Sequence, residues 1–268
     1  MKLQIAFIGG GNMASAILGG LLRQGTRAEQ VQVVDPSAEV ATRLQGLGVT
    51  VLPQAGPELA RAELVIWAVK PQVFAQAAHA AAPHVGQALH LSVAAGITSD
   101  SMAAWLGSQR IVRAMPNTPA LVGLGQTGLF ARASVAPADR TSVEQVLAST
   151  GECTWVQAEP LLDAVTALSG SGPAYFFYFI ESMVRAGVAM GLTEAQAKQL
   201  AVGTMAGAAE LARTSHDSPA VLREKVTSKG GTTYAALTHM AHLNVGAHFE
   251  EALEKARIRA AELGRDFG

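Results

Sequence analysis

The chain has 268 residues, 49% of them hydrophobic and 15% charged, and its formal net charge at pH 7 is −1. This composition supports a sizeable core and excludes general disorder, and the near-neutral charge gives no reason to expect a nucleic-acid partner or a membrane surface. The single cysteine, Cys153, excludes an intrachain disulfide framework and a cysteine-rich metal site. It suits a reducing compartment, so we expect a cytoplasmic protein with no metal.

The first motif is a glycine-rich turn between an apolar run and a helical pattern. The apolar run at residues 5–8 ends at Gly9, which opens a G-x-G-x-x-A pattern, and a second apolar run ends in Asp35. Gly9 permits the tight turn, Gly11 lets the backbone approach a pyrophosphate, and Ala14 allows close packing of helix on strand. The pyrophosphate then lies at the helix N-terminus. This order of strand, turn, helix, strand and acid predicts dinucleotide binding.

The acid at the end of the second strand bears on the choice of cofactor. Asp35 is able to accept hydrogen bonds from both ribose hydroxyls of NADH, and its charge disfavours a 2′-phosphate. Ser37 rather than an arginine follows closely, and Arg43 lies one or two helical turns further on. The local chemistry therefore favours NADH and leaves NADPH open.

The first half of the chain alternates strand and helix patterns, which is typical of a doubly wound sheet. After the opening unit, we predict helices at residues 38–47, 75–82 and 139–149, and strands at residues 49–52, 64–69, 89–93, 111–115, 128–131 and 154–156. Ligands bind at the carboxyl ends of the strands in such a sheet. Three strand-end segments therefore become candidates, at residues 69–72, 93–96 and 115–119.

From about residue 160 only helical patterns remain. Pro173 is placed to begin a long helix, Thr193 and Gln196 form a capping box for the next one, and a last helix covers residues 245–263. The apolar stretch at residues 174–192 is interrupted by charged residues, which favours a buried helix over a membrane span. We thus predict an α/β fold, with a Rossmann domain at residues 1–159 and an all-helical domain at residues 160–268. The small and apolar positions of the helical half favour a homo-oligomer.

Few residues are suited to acid–base catalysis, and the remaining polar concentration lies near the C-terminus. None of the histidines stands in a metal-ligand spacing. Lys70 and Asn117, at strand ends, are either ligand contacts or ordinary surface and turn residues. Four hydroxyls and two glycines occur at residues 226–233, directly before a helical stretch. Glycines and hydroxyls that open a helix favour a bound carboxylate, and they exceed what helix capping requires.

Five segments together resemble pyrroline-5-carboxylate reductase over essentially the whole chain. They are IGGGNMA at 8–14, AVKPQ at 68–72, MPNTP at 115–119, LSGSGPAY at 168–175 and VTSKGGTT at 226–233. The resemblance implies reduction of 1-pyrroline-5-carboxylate to L-proline by NADPH or NADH. It also implies a homodimer or a dimer-based larger assembly such as a decamer. Lys229 departs from the proline usual in the last segment.

The resemblance also implies residue roles. The substrate carboxylate would be held by Ser228, Gly231 and Thr232 together with Thr233, whose hydroxyl would meet the ring nitrogen as a positioning group and proton donor. The cofactor would be lined by Ile8, Gly9, Gly10, Gly11, Asn12, Met13, Ala14, Asp35, Ser37, Val69, Lys70, Pro71, Val93, Ala94 and Ala95.

Two other function classes remain open from the sequence. A β-hydroxyacid dehydrogenase shares the order of domains, but the family pattern places a catalytic lysine near a Gly-rich helix start, and residues 169–181 contain no lysine. A non-enzymatic redox sensor that binds NAD(P)H is the second alternative. A sensor function does not account for the hydroxyl-rich segment at residues 228–233. Both alternatives therefore rank below imine reduction.

Overall fold

The computed structural model describes residues 3–267, which form eight β-strands and eleven α-helices. The described residues divide into two compact units. The first unit contains the residues through Ser171 together with those from Ala256 onward, and the second contains Gly172–Lys255.

The first unit is built on one eight-stranded sheet. Its strands are β1 (Ile5–Ile8), β2 (Val31–Val34), β3 (Thr50–Leu52), β4 (Leu64–Trp67), β5 (Leu89–Ser92), β6 (Ile111–Met115), β7 (Gly125–Ala131) and β8 (Gly151–Trp155). Their order is β3-β2-β1-β4-β5-β6-β7-β8, and every neighbouring pair is parallel except β6 and β7. The order reverses between β1 and β4, which is the switch point where ligands bind in such sheets.

Five helices lie along the chain between these strands, and a sixth follows β8. They are α1 (Asn12–Arg23), α2 (Ala38–Gln45), α3 (Pro71–Ala81), α4 (Ser99–Leu106), α5 (Pro137–Leu147) and α6 (Leu161–Val165). Alternate residues of β1 enter two separate apolar clusters, with Phe7 in one and Ile8 in the other. Because both sides of the sheet are buried, its central strands read as continuous apolar runs.

The second unit is helical. Its helices are α7 (Gly172–Ala189), α8 (Glu194–Thr214), α9 (Pro219–Lys225), α10 (Thr232–His242) and the part of α11 (Val245–Phe267) that precedes Ala256. The capping box predicted for α8 is confirmed, since Thr193 Oγ1 accepts the Gln196 N–H at 3.3 Å and Gln196 Oε1 accepts the Thr193 N–H at 3.0 Å. A Cβ at Gly187 would lie 2.9 Å from Ala197 Cβ, so α7 and α8 pack closely.

Several predicted elements differ from the structure. The helix predicted at 75–82 is α3 and begins earlier, because Pro71 occupies its first turn. The strand predicted at 128–131 is β7 and begins at Gly125. Helices α4, α6 and α9 were not predicted, since each has eight residues or fewer and shows little periodicity. The domain boundary after residue 159 stays a prediction.

Helix α7 corrects the expectation of a buried helix at residues 174–192. Only Gly172 and Gly187 of α7 are buried within the chain, and Phe177 and Tyr178 are each 63% exposed. The neighbouring helices of the same chain therefore leave part of the apolar surface of α7 exposed. Among the described residues, no helix is both long enough and apolar enough to cross a membrane.

Candidate cofactor and substrate sites

Gly9 holds the glycine turn against the end of β4. Its φ is +96°, a conformation that L side chains rarely adopt, and its N–H donates to Val34 O at 2.8 Å. A Cβ at this position would lie 2.7 Å from Ala68 O and 2.9 Å from Val69 Cγ1. Only glycine therefore fits here without displacing the backbone that follows β4.

Gly11 leaves open space where a diphosphate would approach. A Cβ on Gly11 would meet nothing within 4 Å, and this residue is the N-cap of α1 with no side-chain cap. The first-turn amides of α1 thus have no capping oxygen, while the small side chain of Ala14 is buried in the turn below. An uncapped helix N-terminus behind an open glycine fits the pyrophosphate of a dinucleotide.

Asp35 ties the glycine turn to the start of α2. Its Oδ2 accepts the Gly10 N–H at 2.8 Å, and its Oδ1 accepts the Ser37 N–H at 2.9 Å. Ser37 in turn caps α2, because its Oγ accepts the Val40 N–H. The half-buried carboxylate therefore has a structural task in addition to the predicted contact with the ribose.

Arg43 reaches the same turn from α2, a contact that the sequence did not predict. Its Nη2 donates to Gly10 O at 2.7 Å and to Ser15 Oγ at 3.2 Å. The spacing from Asp35 placed Arg43 on the correct helix but could not indicate the direction of the side chain.

The ends of β4 and β5 lie beside the glycine turn. Ala68 N–H donates to Ile8 O at 2.8 Å and Val93 N–H donates to Trp67 O at 3.0 Å, so the three strand ends run side by side. Lys70 is exposed as the N-cap residue of α3 and Pro71 follows in its first turn. The structure thus brings the predicted cofactor residues to one edge of the sheet.

Asn117 has a structural role. Its amide donates to Ser169 O at 3.1 Å and to Ser169 Oγ at 3.2 Å, and its Oδ1 accepts the Gln126 N–H at 2.9 Å. The residue is only 9% exposed. Of the two interpretations offered by the sequence, the structure favours a rigid turn that holds neighbouring segments together.

The hydroxyl-rich segment forms a turn that opens α10. Gly230 has a φ of +74°, and Gly231 N–H donates to Ser228 O at 3.0 Å. A Cβ at Gly231 would lie 2.6 Å from Ser228 Oγ, so glycine lets that hydroxyl approach the backbone. Gly231 is the N-cap of α10 and provides no side-chain cap, and Thr232 and Thr233 are exposed. The turn presents hydroxyls and uncapped amides, which suit a carboxylate.

Two groups of the first unit that lie outside the predicted sites have shifted pKa values, the buried His90 and the half-buried Cys153. Burial, followed by the positive charge of Arg110, lowers the pKa of His90 to about 4. Burial, followed by the charge of Glu144, raises the pKa of the Cys153 thiol to about 11. Cys153 therefore stays protonated and poorly nucleophilic at neutral pH.

Comparisons with known proteins agree with these features. A model of pyrroline-5-carboxylate reductase dimerisation matches residues 159–263, and a model of coenzyme F420-dependent NADP oxidoreductase matches residues 4–96. The pyrroline-5-carboxylate reductase of Pseudomonas aeruginosa is 42% identical over 268 residues, which cover 99% of this chain and 98% of that protein. The chain belongs to the pyrroline-5-carboxylate reductase family. The family's Haemophilus influenzae member is 42% identical over 262 residues, covering 97% of each chain.

Solved structures of the reductase family match the whole fold. The pyrroline-5-carboxylate reductase of Coxiella burnetii superposes with a TM-score of 0.92 at 36% identity, covering 98% of this chain and 99% of the other. The Plasmodium falciparum pyrroline carboxylate reductase with NADP bound has a TM-score of 0.87 at 28% identity, with the same coverage. The fold, the family resemblance and the use of NAD(P)H are confirmed. Family membership sets aside the dehydrogenase and redox-sensor alternatives.

Proposed function

We propose that this chain reduces 1-pyrroline-5-carboxylate to L-proline with hydride from NADPH or NADH. The observation that carries the proposal is the uncapped, hydroxyl-rich turn from Ser228 to Thr233, found in a chain that belongs to the reductase family. A carboxylate-bearing substrate is the ligand chemistry that such a turn favours.

The cofactor residues fit an NAD(P)H molecule. The first-turn amides of α1 behind Gly11 would hold the pyrophosphate, and Asp35 and Ser37 lie where the adenosine ribose binds in this fold. Val69 and Ala94 belong to the strand-end segments that would line the other half of the cofactor. The cofactor supplies the hydride; the protein binds and orients it.

The substrate residues fit a small carboxylate. The Ser228 hydroxyl and the amides of Gly231, Thr232 and Thr233 would hold the substrate carboxylate, assisted by the positive end of the α10 dipole. In this arrangement the Thr233 hydroxyl meets the ring nitrogen and fixes the tilt of the ring.

The reaction explains why few acid–base groups are needed. A protonated cyclic imine is already electrophilic at its imine carbon. Hydride adds to that carbon, the π electron pair of the C=N bond moves onto nitrogen, and the product is the secondary amine of proline. The protein has to align the two reactants and exclude water, which is catalysis by positioning. Thr233 is then a positioning residue and the proposed proton donor.

The test measures loss of reduced nicotinamide absorbance with the imine as substrate. We expect the wild-type protein to oxidise NADPH or NADH when the imine is present. In Thr233→Ala we expect kcat/KM for the imine to fall about tenfold or more with the cofactor KM unchanged, because a hydrogen bond to a charged group is lost. Thr238→Ala, an exposed position five residues further along α10, serves as the control. Absence of imine-dependent oxidation refutes the activity, and unchanged kinetics in Thr233→Ala remove that residue from the site.

The helical unit supports the proposal of a dimer that assembles further, up to a decamer. It matches the dimerisation model of the family, and it exposes large apolar side chains. They include Phe176, Phe177, Tyr178, Met183, Val188, Met190, Leu192, Leu200, Val202 and Leu211. The start of that match at residue 159 also supports the proposed domain boundary. A reducing cytoplasm and the absence of a nucleic-acid partner are supported by the single cysteine and the charge of −1.

A further inference from the structure

One cation at the glycine turn has no task in imine reduction. Arg43 Nη2 donates to Gly10 O at 2.7 Å and to Ser15 Oγ at 3.2 Å. The N–H of the same Gly10 is held by Asp35 Oδ2 at 2.8 Å. The Asp35 carboxylate and the Arg43 guanidinium are therefore both hydrogen-bonded to Gly10, near the end of β2, where the adenosine ribose lies in this fold.

The position of Arg43 is set by helix packing. A Cβ at Gly10 would lie 2.4 Å from Val40 Cγ1 and 3.1 Å from Leu44 Cδ1, so α2 rests directly on the turn. The Ser37 cap fixes where that helix begins. Because Arg43 is adjacent to Leu44 in α2, this packing positions the Arg43 side chain beside the glycine turn.

The charge of Arg43 is available to an anion. In residues 3–267 no carboxylate lies within ion-pairing distance of Arg43, and its hydrogen bonds use Nη2 alone. The remaining guanidinium donors can bind phosphate oxygens in a bidentate manner. Asp35, whose two oxygens each accept a backbone N–H, supplies the opposite charge.

We propose that Arg43 binds the 2′-phosphate of NADPH and so lets the chain accept NADPH in spite of Asp35. This inference rests on the proposed function only in taking NAD(P)H as the cofactor. Arg43 is then the residue that sets preference between the two cofactors, because NADH has no group at that position to contact it.

The first test uses ligands that contain only the adenosine end of the cofactor. Calorimetry compares adenosine 2′,5′-bisphosphate with adenosine 5′-monophosphate. In Arg43→Gln we expect the bisphosphate to bind about tenfold more weakly, since a charge-assisted hydrogen bond is lost, and the monophosphate to change less than about twofold. Arg61→Gln is the matched control, because Arg61 is also exposed but precedes β4, at the opposite edge of the sheet.

The outcome separates phosphate recognition from support of the turn. If Arg43 only braces Gly10 and Ser15, both ligands weaken alike, and that result overturns the proposal, as does bisphosphate binding equal to the wild type. Arg43→Lys keeps the charge, so it retains more bisphosphate affinity than Arg43→Gln. Equal losses in the two variants also contradict the proposal.

Kinetics supply the second readout. Arg43→Gln raises KM for NADPH about tenfold more than it raises KM for NADH, because only NADPH carries the 2′-phosphate. Equal changes in KM for both cofactors contradict the proposal. The calorimetric arm contains no imine, so failure of the proposed imine reduction leaves the test of Arg43 intact.

Discussion

His90 shows how a single buried residue links stability to pH. It lies in β5 with no exposed surface, and its Nδ1 accepts the Trp67 Nε1–H at 3.3 Å. Its Nε2 is buried and has no hydrogen-bond partner within residues 3–267. Protonation at Nδ1 would break the bond to Trp67 and place a charge in the apolar core, so burial lowers the pKa of His90 to about 4.

We therefore expect stability to fall with acid over a defined range. The unfolded chain binds a proton at His90 near pH 6.5, whereas the folded chain does so near pH 4. The contribution of His90 to the free energy of unfolding is therefore constant above about pH 6.5 and becomes unfavourable as pH drops towards 4, by a total on the order of 3 kcal/mol. Denaturant unfolding across this range in His90→Gln should show a shallower loss than the wild type. His79→Gln, an exposed position in α3, is the control, and equal slopes in all three proteins contradict the prediction.

At the scale of the element, Gly9 and Gly11 have different roles in the glycine turn. Gly9 is required by the folded backbone, because its φ is positive and a Cβ would contact Ala68 O. Gly11 has an ordinary φ of −68° and open space around it, so its lack of a side chain serves the ligand. One motif therefore contains a structural glycine and a binding glycine.

This division predicts that the same substitution affects stability at Gly9 and cofactor binding at Gly11. Gly9→Ala should lower stability by about 1–3 kcal/mol through backbone strain and overlap. Gly11→Ala should change Tm much less, and it should weaken NADPH binding because the added methyl group occupies the path of the pyrophosphate. Thermal unfolding without cofactor and fluorescence titration with NADPH measure the two effects. Similar Tm losses, or wild-type binding by Gly11→Ala, would refute the division.

A second element-scale feature is the junction before α7. Residues Thr166–Gly170 form a π-helical turn in which Ser171 N–H donates to Thr166 O at 2.8 Å. Asn117 holds this turn through Ser169. A π-helical turn is wider than an α-helical one. Here it contains Ser169, which accepts a hydrogen bond from Asn117 close to the point where the first unit ends at Ser171.

At the scale of the whole molecule, the helical unit carries apolar surface that one chain leaves exposed. Phe177 and Tyr178 are each 63% exposed on α7, whereas Tyr175 and Phe179 contact the ring of Phe249 with centroids 5.7 Å away. One face of α7 thus packs within the unit and another lies open. Exposed aromatic patches of this kind mark association surfaces.

We expect Phe177→Asp to shift the protein towards lower mass. The carboxylate would be buried against an apolar partner surface on association, which is unfavourable without a counter-charge. Sedimentation velocity measures the mass, and Leu121→Asp serves as the control because Leu121 is 58% exposed in the first unit. An unchanged mass for Phe177→Asp, or equal dissociation by Leu121→Asp, would show that α7 does not form the interface.

Much of the fold was predictable because its signals are local. The glycine turn, the apolar strands β1, β2 and β4 and the capping box at Thr193 each lie within a few neighbouring residues. The short helix α4 was missed although Thr98 caps it and Gly107 ends it in a left-handed conformation, since eight residues contain too few turns for periodicity. The direction of β7, antiparallel to β6, has no signature in a strand pattern.

The sequence by itself determined the cofactor class, the family and the division of labour between an α/β half and a helical half. Tertiary structure alone decided which polar groups meet. Asp35 and Arg43 contact Gly10 across 25 and 33 positions of chain, and Asn117 contacts Ser169 across 52. Motifs can be recognised from the spacing of nearby residues because the adjacent backbone sets their geometry. Contacts between distant residues depend on how helices pack on the sheet, which no single segment encodes.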